Sequence, residues 1–360
     1  MHTRLLAGTS KGLIVLSNES GSWKIVKVFF EGLPVSMLYI DERTNTWWVG
    51  IGHRHWGEKL HFSTDDGMTW LESSTPSFKD YFFRPGMPAT LKKLWVMQHA
   101  GTDKPGCLWL GTEPGGLFFS SDSGKSWQLT ESLWNHPSRV DDKQWFGAGK
   151  DFPFIHSIVI DPRNSNHVFI GISCAGVFRT IDGGKNWQAK NKGLFATYLP
   201  NPSADVGHDP HKLLQCQARP DVIWQQNHCG IFRTEDAAEN WVDVSGKNGF
   251  PSYGFALAID NENPEVAWVI PAQSDEMRVP CDLRLTICKT TNGGSSWASV
   301  NAGLPASYSF DLVLRQAFDK SQKTLAFGTN NGNLYLSEND GESWQTISQN
   351  LATVNCIIFC

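Results

Sequence analysis

The sequence predicts an all-β protein, a seven-bladed β-propeller whose blades are four-stranded antiparallel sheets. A short motif that ends in Trp recurs seven times along the chain. Successive copies lie between 47 residues (Trp23 to Trp70) and 60 residues (Trp127 to Trp187) apart, a spacing typical of propeller blades. A lone apolar segment, Val354–Phe359, follows the last copy. We expect it to join the N-terminal blade, because closing the ring removes a free sheet edge.

The motif combines a hydroxyl residue, an Asp, a Gly, a small polar residue and a Trp at fixed spacing. Close copies are Ser63–Trp70, Ser120–Trp127 and Thr180–Trp187, looser copies are Thr234–Trp241, Thr290–Trp297 and Ser337–Trp344, and a shortened copy is Ser17–Trp23. The Asp can accept hydrogen bonds from turn amides, the Gly supplies an unusual backbone angle, and the Trp can pack between sheets. We therefore assign the motif to structure and expect no chemistry there.

The fourth unit illustrates the predicted blade. Its four short apolar runs are His156–Asp161, His167–Ile172, Val177–Thr180 and Trp187–Lys190, separated by Gly, Asn and Asp turns, which is typical of an antiparallel meander. The same plan places one propeller domain over residues 1–360. Its predicted blades are 1–30 with 352–360, then 31–75, 88–131, 153–193, 210–246, 252–301 and 307–349.

Composition narrows the class of partner. The 360 residues are 40% hydrophobic and 19% charged, with a net charge of −5, and no basic stripe is present. Nucleic acid and membrane are therefore not expected as partners. No export signal or membrane-length apolar run is apparent, and the eight Cys are scattered. These features predict a cytoplasmic protein with reduced thiols and no cofactor.

Polar residues concentrate in two sets of loops that a propeller brings to one end of its central channel. Loops between the second and third strands of the units contribute Lys11, His53, Arg54, His55, Trp56, Glu113, Gln226, Asn227, His228 and Arg278. Connections between blades contribute His136, His156, His211, Lys212, Tyr308 and Arg315. We expect these side chains to line one polar site.

Four functions fit such a site. A glycosidase-like hydrolase could use Glu113 as acid or base, Tyr308 or Tyr253 as nucleophile, and arginines to hold an anionic group. In this scheme the predicted catalytic residues are Glu113, His156, His228 and Tyr308, and the remaining loop residues bind a small saccharide or anionic substrate. The alternatives are a non-catalytic ligand-binding module, a protein-interaction scaffold and a His-based metal site. No metal is assigned, and the candidate ligands are His53, His55, His211 and His228.

The repeated motif resembles the Asp-box, or BNR repeat, of sialidases, xyloglucan-degrading enzymes, sortilin-type receptors and photosystem-assembly propellers. The chain is most similar to bacterial BNR-repeat proteins described as sialidase-like or as glycosyl hydrolases. True sialidases have six blades and an Arg-Ile-Pro element, for which the nearest match here is Phe83-Arg84-Pro85. The resemblance therefore implies a hydrolase-like propeller but not a sialidase.

Overall fold

The computed structural model describes residues 4–19, 21–141, 144–147, 149–246 and 250–360. It confirms the predicted fold, with seven four-stranded antiparallel sheets as the blades of a β-propeller and one additional two-stranded hairpin. Helices in the described residues are two single turns, α1 (Glu131–Trp134) and α2 (Pro137–Val140), and the 3-10 turn Cys281–Leu283. None of these described helices has the length and apolar character needed to cross a membrane.

The strands of the first half follow the repeat closely. Blade 1 begins with β1 (Arg4–Thr9), β2 (Gly12–Glu19) and β3 (Ser22–Phe29). Blade 2 contains β4 (Val35–Asp41), β5 (Thr46–His53), β6 (Gly57–Ser63) and β7 (Leu71–Ser73), and the extra hairpin is β8 (Phe82–Arg84) with β9 (Met87–Pro88). Blade 3 contains β10 (Lys93–His99), β11 (Leu108–Glu113), β12 (Leu117–Ser120) and β13 (Gln128–Leu129).

The second half repeats this pattern four times. Blade 4 contains β14 (Ile155–Ile160), β15 (Val168–Ile172), β16 (Gly176–Thr180) and β17 (Gln188–Ala189). Blade 5 contains β18 (Pro210–Gln215), β19 (Ile223–Asn227), β20 (Gly230–Thr234) and β21 (Val242–Asp243). Blade 6 contains β22 (Gly254–Ile259), β23 (Ala267–Pro271), β24 (Cys288–Thr290) and β25 (Ala298–Ser299). Blade 7 contains β26 (Phe318–Ser321), β27 (Thr324–Gly328), β28 (Leu334–Ser337) and β29 (Gln345–Ser348), and β30 (Val354–Phe359) follows it.

Strand β30 completes the first blade, as the sequence predicts. It pairs antiparallel with β1, and the register places Leu5 opposite Phe359 and Ala7 opposite Ile357. The sheet order is β3, β2, β1, β30. Val354, Cys356, Ile357 and Phe359 of β30 are buried. The Phe359 ring packs edge-on against the Trp23 ring with a centroid distance of 6.2 Å.

Contacts between residues divide the chain into two compact units. The first contains Met1–Val35, Leu214–Ala237 and Trp241–Cys360, and the second contains Ser36–Leu213 and Ala238–Asn240. The core of the first unit is built around aromatic side chains such as Phe318, Phe327 and Trp344. In the second unit, apolar clusters form around Trp109 and around Trp48.

The repeated turns have the geometry that their residue types predict. At the third copy, Asp122 Oδ1 accepts hydrogen bonds from Ser120 Oγ (2.8 Å) and from the backbone N–H of Ser126 (2.9 Å). The Ser120 hydroxyl accepts a bond from the N–H of Gly124 at 2.9 Å, and Gly124 has a positive φ of 78°. The closing Trp127 donates its indole N–H to the carbonyl of Ser74, in the preceding blade, at 3.0 Å. This turn thus ties blade 3 to blade 2.

Candidate functional site

Glu58 is a half-buried carboxyl group in the second unit, on strand β6 directly after the loop that carries His53 to Trp56. Its Oε2 accepts hydrogen bonds from Ser36 Oγ (3.3 Å) and from the backbone N–H of Leu94 (3.2 Å). Burial raises the pKa of Glu58 and the nearby charge of Glu113 adds to this effect, which outweighs the opposing Leu94 and Ser36 bonds and the Lys93 charge. Glu58 therefore keeps its proton at a higher pH than an ordinary glutamate.

Glu113 ends strand β11 and is buried. Its Oε2 accepts a hydrogen bond of 3.3 Å from the indole N–H of Trp95. The Trp95 ring stacks on Phe154 with a centroid distance of 4.2 Å, and the Lys93 ammonium lies 3.7 Å from the Trp95 ring centroid. Trp95 thereby fixes the Glu113 carboxyl group in place.

Glu58 lines a cavity of about 610 Å³ whose other walls include Trp56, Asp80, Tyr81 and Phe82. The Trp56 side chain is 74% exposed and Phe82 is 53% exposed. Both are large apolar rings that the fold leaves in contact with solvent. An open cavity with exposed rings and two carboxyl groups is suited to a saccharide, because sugars offer apolar faces and many hydroxyl groups.

His53 shapes the loop that presents Trp56. Its Nδ1 accepts hydrogen bonds from the backbone N–H groups of His55 and Trp56, each at 3.2 Å. These bonds leave Nε2 as the ring nitrogen that could bind a metal. Arg54 and His55 are exposed on the same turn.

His156 and His211 are buried in the second unit. His156 Nδ1 lies 2.9 Å from Ser157 Oγ. His211 Nε2 lies 3.2 Å from Asp209 Oδ2, and Asp209 Oδ1 accepts a bond of 2.7 Å from Ser173 Oγ. Imidazole and carboxylate are donors that divalent metals use, so Asp209 and His211 are a candidate pair of metal ligands. Lys212 follows on the same strand and is also buried.

His136 lies in a separate cavity of about 640 Å³, lined also by Gln144 and Phe146. Its Nδ1 is 2.8 Å from Ser138 Oγ, and its ring packs edge-on against Phe178 at 5.2 Å. Burial lowers the pKa of His136, so the ring favours its neutral form.

A second polar cluster lies in the first unit, around Tyr253. The Tyr253 hydroxyl donates to Asp275 Oδ1 at 3.0 Å, Asp275 pairs with Arg278, and the His228 ring packs edge-on against Tyr253 at 5.5 Å. The guanidinium carbons of Arg278 and Arg315 lie 5.4 and 4.9 Å from the Phe255 ring centroid. Burial and the Asp275 charge raise the pKa of Tyr253, so the phenol stays protonated.

The remaining sequence-predicted residues differ in burial. Gln226 and Asn227 are buried and hydrogen-bonded within the first unit, to the Ser252 carbonyl at 2.8 Å and the Gln225 side chain at 2.6 Å. Lys11 is exposed on the hairpin between β1 and β2. Tyr308 is 83% exposed, whereas the Tyr253 hydroxyl donates to Asp275.

Sequence reasoning missed Glu58, Asp80 and Asp275 as candidates. Glu58 lies two positions after the singled-out residue Trp56, at the start of strand β6, which is a usable signal. Asp275 lies within the longer loop 273–278 that stood out in the sequence. Asp80 belongs to the segment between the predicted second and third blades, for which the repeat gave no expectation.

Comparisons with known proteins are consistent with this fold. No protein-family model matches the chain. A xyloglucanase of Acetivibrio thermocellus is 24% identical over 284 residues, covering 71% of this chain and 30% of that protein. The chain thus corresponds to about a third of its curated relative.

Two solved structures are similar in fold. The GH74 enzyme of Niastella koreensis superposes with a TM-score of 0.62 at 15% identity, covering 95% of this chain and 51% of that one. The periplasmic gluconolactonase of Pseudomonas aeruginosa gives a TM-score of 0.61 at 14% identity, covering 99% and 98%. At these identities the likeness establishes the propeller fold alone. The two proteins are named for different reactions, so the function of this chain must be argued from its site.

Proposed function

We propose that this chain is an Asp-box propeller that binds a saccharide in the Glu58 cavity and hydrolyses a glycosidic bond, with Glu58 as general acid. The observation that carries the proposal is the raised pKa of Glu58 in a cavity that also contains exposed aromatic rings. A glycosidase needs one carboxyl group that is protonated near neutral pH and a second that is ionised. The sequence similarity to a xyloglucanase supports a saccharide as the substrate.

The proposed chemistry uses the two carboxyl groups of the cavity. Glu58 donates its proton to the glycosidic oxygen as the bond to the anomeric carbon breaks. Asp80, whose side chain is exposed in the same cavity, serves either as the base that activates a water molecule or as the nucleophile. Glu113 acts through Glu58, since its negative charge raises the pKa of Glu58. It is thus a positioning residue rather than the acid that the sequence suggested.

Turnover on a panel of neutral and acidic oligosaccharides, including xyloglucan fragments, tests the proposal. We expect Glu58→Gln to lower kcat by about 10²–10⁴-fold, the usual contribution of a general acid, and Asp80→Asn to lower it as well. The matched control is Glu72→Gln on β7 of the same blade, where Glu72 pairs with Lys59 at the surface. Equal turnover in Glu58→Gln and Glu72→Gln would refute the assignment of Glu58.

A non-catalytic saccharide-binding module is the second candidate, and the exposure of Trp56 favours it because ring stacking needs no acid. Calorimetric titration of the same oligosaccharides separates the two functions. Binding without turnover in the wild-type protein, unchanged in Glu58→Gln and weakened in Trp56→Ala, would identify a binding module.

A further inference from the structure

Arg139 is a buried arginine on α2, in the second unit, with 7% of its surface exposed. Its guanidinium carbon lies 3.7 Å from the Trp134 ring centroid. Nη1 donates to the Phe83 carbonyl at 2.9 Å, and Nε donates to the Trp134 carbonyl. Both acceptors are neutral, so they orient the guanidinium without balancing its charge.

Other arginines of low exposure in the second unit are paired with carboxylates. Arg43 pairs with Asp41 and Arg179 with Glu239, each at 2.7 Å. Among the described residues, no such ion pair involves Arg139. Burial lowers the pKa of Arg139 to about 10, because desolvation disfavours its charged form. Buried charges are ordinarily paired, so this guanidinium is suited to bind an external anion.

Arg139 lines a cavity of about 390 Å³ together with Phe82, Phe83, Arg84 and Val140. Arg84 is exposed on the β8–β9 hairpin, with its guanidinium carbon 5.4 Å from the Phe83 ring centroid. The cavity therefore has two arginines among its lining residues. Gly86 also lines it, and a side chain added there would meet no atom within 4 Å, so the mouth is open.

Phe82 connects this cavity to the proposed saccharide site, because it lines both the 390 Å³ cavity and the 610 Å³ Glu58 cavity. A chain of sugar units could pass over the exposed Phe82 ring from one cavity into the other. A unit in the Arg139 cavity would place its substituents beside Arg84 and Arg139. Guanidinium groups bind carboxylates through paired, charge-assisted hydrogen bonds.

We propose that the Arg139 cavity is a subsite for the carboxylate of an acidic saccharide, a uronic acid unit whose neighbouring unit occupies the Glu58 cavity. This inference rests on the proposed function and specifies its substrate class. The similarity to a xyloglucanase does not by itself point to an acidic substrate. The two arginines that line the cavity next to the Glu58 cavity do.

Calorimetric titration of the full chain with two matched ligands tests the subsite. One ligand is an oligogalacturonide, and the other is the same oligosaccharide after reduction of its carboxyl groups to alcohols. We expect the acidic ligand to bind about tenfold or more tightly, as charge-assisted bonds to a buried guanidinium imply. Arg84→Gln and Arg139→Gln should each reduce that preference, whereas Arg163→Gln, which removes a surface arginine paired with Asp161, should not.

The outcomes distinguish this inference from the proposed function. Equal binding of the two ligands overturns the subsite and leaves the saccharide site intact. Binding of neither ligand, nor of any other saccharide, overturns both. If Arg139→Gln fails to fold, Arg84→Gln still decides the question, because Arg84 is exposed and its loss should not disturb the core. Inorganic phosphate that binds wild type as tightly as the acidic ligand would show a free-anion site and overturn the saccharide assignment.

Discussion

Asp122 and Glu58 carry carboxyl groups in two hairpins of the same unit, and their surroundings shift the two pKa values in opposite directions. The side-chain bond from Ser126, followed by bonds from the Ser126 N–H and Ser120, lowers the pKa of Asp122 to about 2. Burial and the Glu113 charge raise the pKa of Glu58. The repeated turn stabilises the ionised form of its carboxyl group, whereas the surroundings of Glu58 favour its protonated form. We therefore assign the repeated turns to structure and place the proposed chemistry in the single-copy loops.

Removing β30 is the most severe test of the repeated framework. Truncation after residue 353 removes the buried side chains Val354, Ile357 and Phe359 from the first blade. Each contributes about 1.5–3 kcal/mol, and together they approach the roughly 5–15 kcal/mol that stabilises a typical domain. We expect no cooperative unfolding transition in the truncated protein by circular dichroism.

The point variant Phe359→Ala removes only one of these buried side chains and should cause a smaller loss of stability. It should remain folded and lose about 3–5 kcal/mol, the usual cost of a buried Phe-to-Ala change. A truncated protein that melts at the same temperature as wild type would mean that the first blade is stable with three strands.

Gly124 is the next most sensitive position of the framework. A Cβ at Gly124 would lie 2.5 Å from Cη2 of the buried Trp48, and the backbone φ there is +78°. Gly124→Ala should therefore lower the free energy of unfolding by about 2–4 kcal/mol, through both strain and overpacking. Gly32 has a similar φ of +83° with open space around it, so Gly32→Ala should cost only about 1 kcal/mol. Equal losses in urea titrations would show that the Trp48 contact relaxes freely.

The contributions of Glu58 and Asp122 to stability should change with pH in opposite directions. The raised pKa of Glu58 contributes stability that is complete below the reference pKa of 4.5 and is lost as the pH rises through the folded-state pKa. The lowered pKa of Asp122 contributes stability above the reference value of 3.8 that is lost as the pH falls to about 2.

Urea titrations of Glu58→Gln and Asp122→Asn measure this difference. They should run from about pH 2 to about pH 8, a range that includes the titration of carboxyl groups. Glu58→Gln should gain stability relative to wild type as the pH rises, and Asp122→Asn should lose it. Parallel curves for wild type and both variants would contradict the opposite tuning of the two groups.

Sequence reasoning was successful where the physics is local or repeated. The turn at Ser120 to Trp127 and the pairing of β30 both follow from residue spacing. The burial of Arg139 does not follow from residue spacing. It depends on packing against Trp134 and Phe83, and these contacts form only when the chain folds. The raised pKa of Glu58 likewise depends on its burial and on the charge of Glu113, which lies on a strand of another blade.

Trp56→Ala should have the smallest effect on stability and a selective effect on binding. Trp56 is 74% exposed, whereas Trp48 on the adjacent strand is 3% exposed. Trp56→Ala should change the free energy of unfolding by no more than about 0.5 kcal/mol, and Trp48→Ala should cost about 3–5 kcal/mol. Saccharide affinity in the Trp56→Ala protein should nevertheless fall, because the exposed ring is the proposed stacking surface of the Glu58 cavity. A variant that keeps full affinity would assign stacking to Tyr81 or Phe82 instead, and one that unfolds early would place Trp56 with the repeated framework rather than with the single-copy loops.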